Sequence, residues 1–441
     1  MEGFAGKRVV VMGLGKFGGG IAVSRWLVEQ GASVLVTDRA SPEALEESRK
    51  QLASLPIEYR LGEHREEDFI SADMIVASPA VPPGDRFLSL ARQHGIPVTT
   101  EIRLFLERCT APVLAVTGTK GKSTTTTLLN LMLQRRYTTW LGGNMGRSLL
   151  SDIPAIRPEH LVVLEVSSFM LEYLAEAQWS PHVAVVTRLA PDHLDRHLTE
   201  KGYYEVKKNI VRFQKPEDVA VLHESCPLFA EFCAATRARV VAYGLAGRRP
   251  FDLKLTGDHN QLNAQAAFAA AQAMGISWDE AQEAVTDFTG LPHRLQLVHE
   301  HGGVKFYNDS IATIPEAAIA ALESFPPRRV IQIVGGYDKK LDLKPLCNAL
   351  VERAKAALCI GATGEVIAGM MEQSAGVGAA AVYRCGDLPT AMKMARQIAQ
   401  EGDVVLLSPG CASYGQFRNF EERGEVFTRL ARECCGAAAP T

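Results

Sequence analysis

The chain has 441 residues, enough for two to four domains each with its own core. Hydrophobic residues make up 47% and charged residues 22%, an ordinary globular balance, and a formal net charge of −3 argues against nucleic-acid binding. Nine cysteines, an odd number without CxxC spacing, argue against a disulfide framework and a zinc site. The start of the chain lacks a secretory pattern and no apolar run could span a bilayer, so the expectation is a cytoplasmic protein without membrane insertion.

Apolar, β-branched runs recur along the chain, each followed by glycine or polar residues and then a helix-like segment. They are "RVVVMG", "SVLVTD", "DMIVASPA", "PVLAVTG", "LVVLEVSS", "HVAVVT", "RRVIQIVGG", "AALCIGATG" and "DVVLLSPG". Continuous rather than alternating apolarity predicts strands buried on both faces, hence parallel sheets covered by helices. Ligands of such α/β sheets sit beyond the carboxyl ends of the strands, so the polar residues after these runs are the ones to inspect. Breaks near residue 100 and at "FTGLPHR" predict domains over 1–100, 101–290 and 291–441.

The first run leads into Gly13-x-Gly15-x-x-Gly18, and Asp38 closes the next. That pattern either cradles a diphosphate or is a tight strand-to-helix turn. The fourth run leads into "GTKGKST" before "TTTTLLNLMLQ". Gly118 and Gly121 let backbone N–H groups face phosphate, Lys122 can reach the terminal phosphates, and Ser123 can ligate magnesium. The first glycine of the full phosphate-loop pattern is absent, since Val116 stands there. Two later runs end in carboxylates: Glu165 after "LVVL", and Asp192, His193 and Asp195 in "PDHLDRH". Oxygen ligands beside a phosphate loop suit magnesium, although histidine is an unusual ligand for it.

"GTKGKST", "LEVSSF", "DHLDRH", "GDHNQLNAQAA", "GLPHR", "YNDS", "GGYDKK" and "SPGCASYGQFRNFEERG" occur in that order. Carrying them, the chain resembles the Mur ligases along essentially its whole length. The resemblance implies three α/β domains: an N-terminal Rossmann-like domain for a UDP-sugar, a central P-loop-type ATPase with a mainly parallel sheet, and a C-terminal Rossmann-like domain for the incoming amino acid. It implies a monomer that adds D-glutamate to UDP-N-acetylmuramoyl-L-alanine with ATP and two Mg2+ sites, through an acyl phosphate. An L-glutamate-adding variant and a folylpolyglutamate-synthase-like ligase are the alternatives.

By the same resemblance, Gly118, Thr119, Lys120, Gly121, Lys122, Ser123 and Thr124 hold ATP, with Asn260, Asn263, His293, Arg294 and Asp309. Ser123 and Glu165 hold one magnesium; His193 and Lys208 hold the second, Lys208 as a carbamate formed with carbon dioxide. Lys122, His193 and Lys208 are the catalytic set. Thr313, Lys339, Ser413 and Phe420 receive glutamate, while Lys16, Phe17, Asp38, Arg39, Ser78 and Asn144 receive the sugar nucleotide. The chain departs from the family pattern at Ile311 and Ile314, which replace a lysine and an asparagine, at Ala80, which replaces a glycine, and at Arg188, which replaces an asparagine.

Overall fold

The computed structural model describes residues 3–15, 18–145, 147–255, 257–339, 341–374 and 379–433. The chain divides into two compact units, Met1–Phe288 and Thr289–Thr441. The first holds two sheets and the second holds one. Together they make three α/β domains.

All nine apolar runs are strands, and all nine pair in parallel. The N-terminal sheet is ordered Ile57–Leu61, Ser33–Asp38, Arg8–Met12, Met74–Ala77, Val98–Thr99. The strand order reverses direction at Arg8–Met12. The two loops that leave the sheet there, after Met12 and after Ala77, therefore open a crevice between them. The approach is close: a Cβ on Gly13 would lie 2.8 Å from the Ser78 Cβ, and one on Gly20 would lie 2.3 Å from the Leu14 carbonyl oxygen.

The central sheet is wholly parallel, in the order Arg239–Tyr243, Val219–His223, Val183–Val186, Val113–Thr117, Leu161–Glu165, Thr139–Gly143. Its three middle strands are buried along their whole length. The Val113–Thr117 strand sits at the reversal, so "GTKGKST" leaves the sheet where Glu165 and Thr187 end their own strands. Helix Lys122–Leu133 starts straight from the loop, with Gly121 as its N-cap at φ 87°. One apolar face of that helix packs on Asp258–Ala273, whose alanines permit close approach.

The C-terminal sheet is mixed. Its order is Gln296–His301, Val304–Asn308, Val404–Leu407, Val330–Val334, Ala356–Ile360, Ala381–Gly386. Gln296–His301 is an antiparallel edge strand that the apolar-run reading passes over, because its sequence "QLVHEH" is half polar and lies partly open. Edge strands need only one apolar face. The loops after Asn308, Val334 and Leu407 all emerge at one end of this sheet.

The phosphate loop tolerates little change. Gly118 has φ 145°, and a Cβ there would meet the Thr187 Oγ1 at 2.0 Å. That hydroxyl cannot swing away cheaply, since it donates to the carbonyls of Thr117 at 3.1 Å and Lys120 at 2.8 Å. Gly118→Ala should therefore weaken nucleotide binding by at least about tenfold and destabilise the chain by roughly 1–3 kcal/mol. Calorimetric titration with ATP and denaturant unfolding would read both effects. An unchanged loop affinity would contradict the packing described.

Candidate functional site

Glu165 ends its strand 2% exposed. A buried carboxylate needs donors, and it has two: the Ser123 hydroxyl donates to Oε2 at 2.5 Å and the Asn144 amide to Oε1 at 2.7 Å. The Asn144 backbone N–H also donates to the Glu165 carbonyl. The sequence reading placed Asn144 with the sugar nucleotide; its side chain lies on the carboxylate that faces the phosphate loop. Lys122 Nζ lies 3.0 Å from the Thr119 carbonyl. A Cβ on Gly121 would meet Asn263 Oδ1 at 2.2 Å, so Asn263 lies against the loop. Asn260 stands in the first turn of the same helix, half-buried. Lys120 is exposed and Thr124 half-buried, while Thr119 is buried with its hydroxyl between the Ala190 carbonyl and the Tyr203 hydroxyl.

The lysine that reaches the loop is Lys207, not Lys208. Helix Glu200–Arg212 turns about 100° per residue, so adjacent lysines face different ways. Tyr203 and Lys207, four apart, share the face on the phosphate loop. Lys207 Nζ donates to Thr117 Oγ1 at 2.9 Å and to the Gly118 carbonyl at 3.0 Å, and the side chain is buried. Burial, and then the neighbouring Lys122 ammonium, push its pKa well below the ordinary lysine value, against the pull of Glu165 and Asp192. Lys208 instead pairs with Glu205 at 2.8 Å and Glu231 at 2.5 Å. Burial works to lower its pKa, but those two carboxylates outweigh burial and raise it. Lys208 is thus a cation held in place as a cation, and the metal and carbamate roles expected of it do not fit its surroundings.

His193 takes the left-handed backbone conformation, φ 50°, and caps the short helix Leu194–His197. Its half-exposed ring lies tilted at 50° against Phe169, the ring centroids 4.9 Å apart. Three residues on, Arg196 does what no motif announced. Its guanidinium pairs with Glu172 at 2.5 Å and donates to the carbonyls of Pro79, Ala80 and Val81 at 2.8–3.3 Å. Tyr173 donates to the Val81 carbonyl as well, at 2.7 Å. The loop that carries Ser78 is thereby tied to the segment that carries His193, inside the first unit.

In the N-terminal loop, Asp38 Oδ2 accepts from the backbone N–H groups of Leu14 at 2.9 Å and Gly15 at 3.2 Å, and Oδ1 accepts from Ala40. Asp38 therefore closes the glycine turn rather than standing open to a ribose. Arg39 is exposed and pairs with Asp85 at 3.3 Å. Lys16 and Phe17 lie outside the described residues.

In the second unit, Asp309 follows its strand and is buried. It accepts from Ser408 Oγ at 2.7 Å and from the Leu295 N–H at 3.1 Å. Burial raises its pKa to about 6, opposed by those bonds and by Arg294. His293, at φ 61°, hydrogen-bonds Asn308 at 3.0 Å, with its ring 6.1 Å from Phe420. Ser413 is buried, Thr313 and Phe420 are half-buried, and Lys339 is exposed. Ile311 is half-buried, whereas Ile314 caps helix Pro315–Glu323 and is 45% exposed.

A cation suited to the central site would be small and oxygen-seeking. Ser123 and Glu165 offer a hydroxyl and a carboxylate oxygen side by side. Among the described residues no three histidines, cysteines, aspartates or glutamates gather to form a cage. So sparse a donor set fits Mg2+, which keeps waters and takes the rest of its shell from substrate phosphates.

Three family models match the chain: the Mur ligase MurD-like N-terminal domain over 7–100, the Mur ligase middle domain over 116–251, and the Mur ligase glutamate ligase domain over 293–411. A UDP-N-acetylmuramoylalanine–D-glutamate ligase of Roseiflexus sp. (strain RS-1) is 42% identical, over 97% of this chain and 98% of that one. A protein of the same name from Symbiobacterium thermophilum is 38% identical over 96% and 97%. The chain belongs to the Mur ligase family. Solved Mur ligases share the fold: UDP-N-acetylmuramate-alanine ligase MurC of Thermotoga maritima, at TM-score 0.57 and 19% identity, over 97% of this chain and 99% of that one. MurF ligase of the same organism, in complex with ADP, reaches 0.55 at 19%, over 98% and 97%.

Two features of this Mur ligase were legible only in part. Tyr203 and Lys207 are four residues apart, but so are Tyr204 and Lys208, so the spacing marks a shared helix face without saying which of the two lysines meets the loop. Arg196 lies within "DHLDRH", but nothing in the sequence says that it reaches residues 79–81.

The buried Asp309 makes a pH prediction. Its folded-state pKa, about 6 against an ordinary 3.8, means that the folded chain holds a proton which the unfolded chain releases. The resulting stabilisation is present below the ordinary carboxylate value and is lost as pH rises through 6. Between pH 4 and 7 the wild type should lose on the order of 2–3 kcal/mol relative to Asp309→Asn, read by urea unfolding at each pH. Parallel pH profiles for the two proteins would contradict the burial.

Proposed function

We propose that this Mur ligase joins D-glutamate to UDP-N-acetylmuramoyl-L-alanine, converting ATP to ADP and phosphate. The observation that carries the reading is the phosphate loop, with Lys122, Ser123 and Glu165 together at the end of a parallel sheet. The names of full-length relatives support the choice of substrates. Gly118–Thr124, Asn260 and Asn263 hold the nucleotide; His293, Arg294 and Asp309 keep the nucleotide roles that the resemblance implies. Arg39 and Ser78 serve the sugar nucleotide, with Asp38 holding the glycine turn beside them, and Thr313, Lys339, Ser413 and Phe420 serve the amino acid.

In the reaction, an oxygen of the alanyl carboxylate attacks the γ-phosphorus and ADP leaves. The glutamate amine then attacks the acyl carbon of the resulting acyl phosphate. The tetrahedral intermediate expels phosphate, and the amine proton passes to solvent. Both steps gather negative charge, so fixed positive groups matter more than covalent help from the protein. Lys122 faces the terminal phosphates. Ser123 and Glu165 would hold one Mg2+, which supplies charge neutralisation at those phosphates when bound. Asn144 keeps the Glu165 carboxylate oriented.

The carbamate falls to Lys207. Lys122 repels a buried ammonium there and would attract a carbamate, while Glu165 and Asp192 favour the ammonium and would need Mg2+ to offset them. The depressed basicity of Lys207 also favours the neutral amine whose lone pair forms the N–C bond with carbon dioxide, releasing one proton to solvent. With His193, that anion would hold the second Mg2+.

Phosphate release tests the reading. UDP-N-acetylmuramoyl-L-alanine with D-glutamate should release phosphate, while L-glutamate releases far less and a folate with L-glutamate releases none. A folate-dependent signal would overturn the substrate assignment. In the same assay Lys207→Ala should lose at least about a hundredfold in turnover, with partial recovery in a short carboxylic acid. Lys208→Ala should stay within a few-fold of wild type. The reverse ranking would return the carbamate to Lys208.

A further inference from the structure

Arg423 is fully buried in helix Phe420–Arg432, with none of its surface exposed. Its guanidinium makes three hydrogen bonds, all to neutral acceptors. Nε donates to Ser310 Oγ at 3.0 Å, NH1 to the Cys411 carbonyl at 3.0 Å and NH2 to the Ser310 carbonyl at 2.8 Å. No described carboxylate lies within ion-pair distance of it. Glu422, beside it in sequence, pairs with Arg418, and Asp309 is engaged by Ser408 and Leu295. A charge this deep is normally paired, because removing it from water costs several kcal/mol. Burial accordingly lowers the Arg423 pKa to about 10, still charged at neutral pH.

The position of the unmatched charge is informative. Its bonds tie the loop after Asn308 to the loop after Leu407, and Ser310 Oγ in turn donates to the Phe420 carbonyl at 2.7 Å. On a third side a Cβ at Gly336 would lie 3.4 Å from NH1, so the Gly335–Lys339 loop runs across the guanidinium. These loops carry Thr313, Lys339 and Ser413, and Phe420 opens the helix that carries Arg423. Among the described residues these bonds use three of the five N–H groups of the guanidinium.

We propose that Arg423 is the buried cation that matches the carboxylates of the incoming acidic amino acid, a positioning residue that sets charge selectivity through the loops it ties. This rests on the glutamate-adding reading. The ligand, with two carboxylates and one ammonium, brings a net negative charge toward a guanidinium whose own hydrogen bonds all go to neutral acceptors. At an effective dielectric near 20, one unit charge several ångströms away changes affinity by roughly ten- to a hundredfold.

The test compares D-glutamate with D-glutamine, which differs by one charge and little in size, in wild type, R423K and R423Q. Turnover of D-glutamate by wild type comes first, and its absence would sink the glutamate-adding reading rather than this one. R423Q should then raise KM for D-glutamate about tenfold or more, leaving KM for ATP and D-glutamine within about threefold. R423K, which keeps the charge but cannot reproduce the fork, should melt lower yet keep most of the preference. An unchanged preference in R423Q, or a loss as large in R423K, would overturn the proposal. Should R423Q fail to fold, the wild type still decides: D-glutamate should raise its melting temperature more than D-glutamine at matched concentration, and equal shifts would overturn the idea.

Discussion

The contact on which the site depends is the one between Glu165 and Ser123. A carboxylate at the end of a fully buried strand must be given donors, and a hydrogen bond to a charged group is worth about 1.5–3 kcal/mol. Meeting that requirement brings the phosphate loop to the neighbouring strand end and draws Asn144 in from the edge strand. The glycines follow from the same crowding. Gly118 lies against Thr187, and Gly121 against Asn263, with no room for a side chain at either. The parallel sheet supplies the strand ends; the carboxylate and the glycines decide that these ends meet closely enough to hold phosphate.

Electrostatics then sorts the lysines. Lys122 and Lys207 lie close enough to disfavour each other's charge, and Lys207, the more buried, yields. Lys208 has two carboxylates and does not. Neighbours on one helix therefore have opposite chemistry: one is disposed to lose its proton and become something else, while the other is a structural cation. Arg196 and Arg423 extend the pattern. Both are sheltered guanidinium groups that collect backbone carbonyls from loops at strand ends, in the first and second units respectively. Arginine suits this work because its planar fork holds several donors in fixed directions.

The parallel core was legible because strands covered on both faces leave continuous apolar runs, and "VLAVT" or "VVLL" can be read without context. The phosphate loop was legible because its glycines and lysine are local. What escaped depended on contacts distant in sequence. Gln296–His301 is half polar because it lies at an edge. Arg196 gains its meaning from carbonyls more than a hundred residues away. Lys207 and Lys208 cannot be told apart by counting from His193, since the choice rests on which face of a helix meets the loop. Asp38 was visible as an acid after a strand, but its binding of the glycine turn's own N–H groups was not.

The central claim is that the nucleotide on the second loop activates a carboxylate rather than being hydrolysed beside it. Oxygen transfer tests this most directly. UDP-N-acetylmuramoyl-L-alanine labelled with 18O in its alanyl carboxylate would be turned over with ATP and D-glutamate, and the released phosphate analysed by mass. If the carboxylate oxygen attacks the γ-phosphorus, one labelled oxygen leaves with the phosphate each time an amide forms. Unlabelled phosphate, with amide formed at the normal rate, would contradict the account.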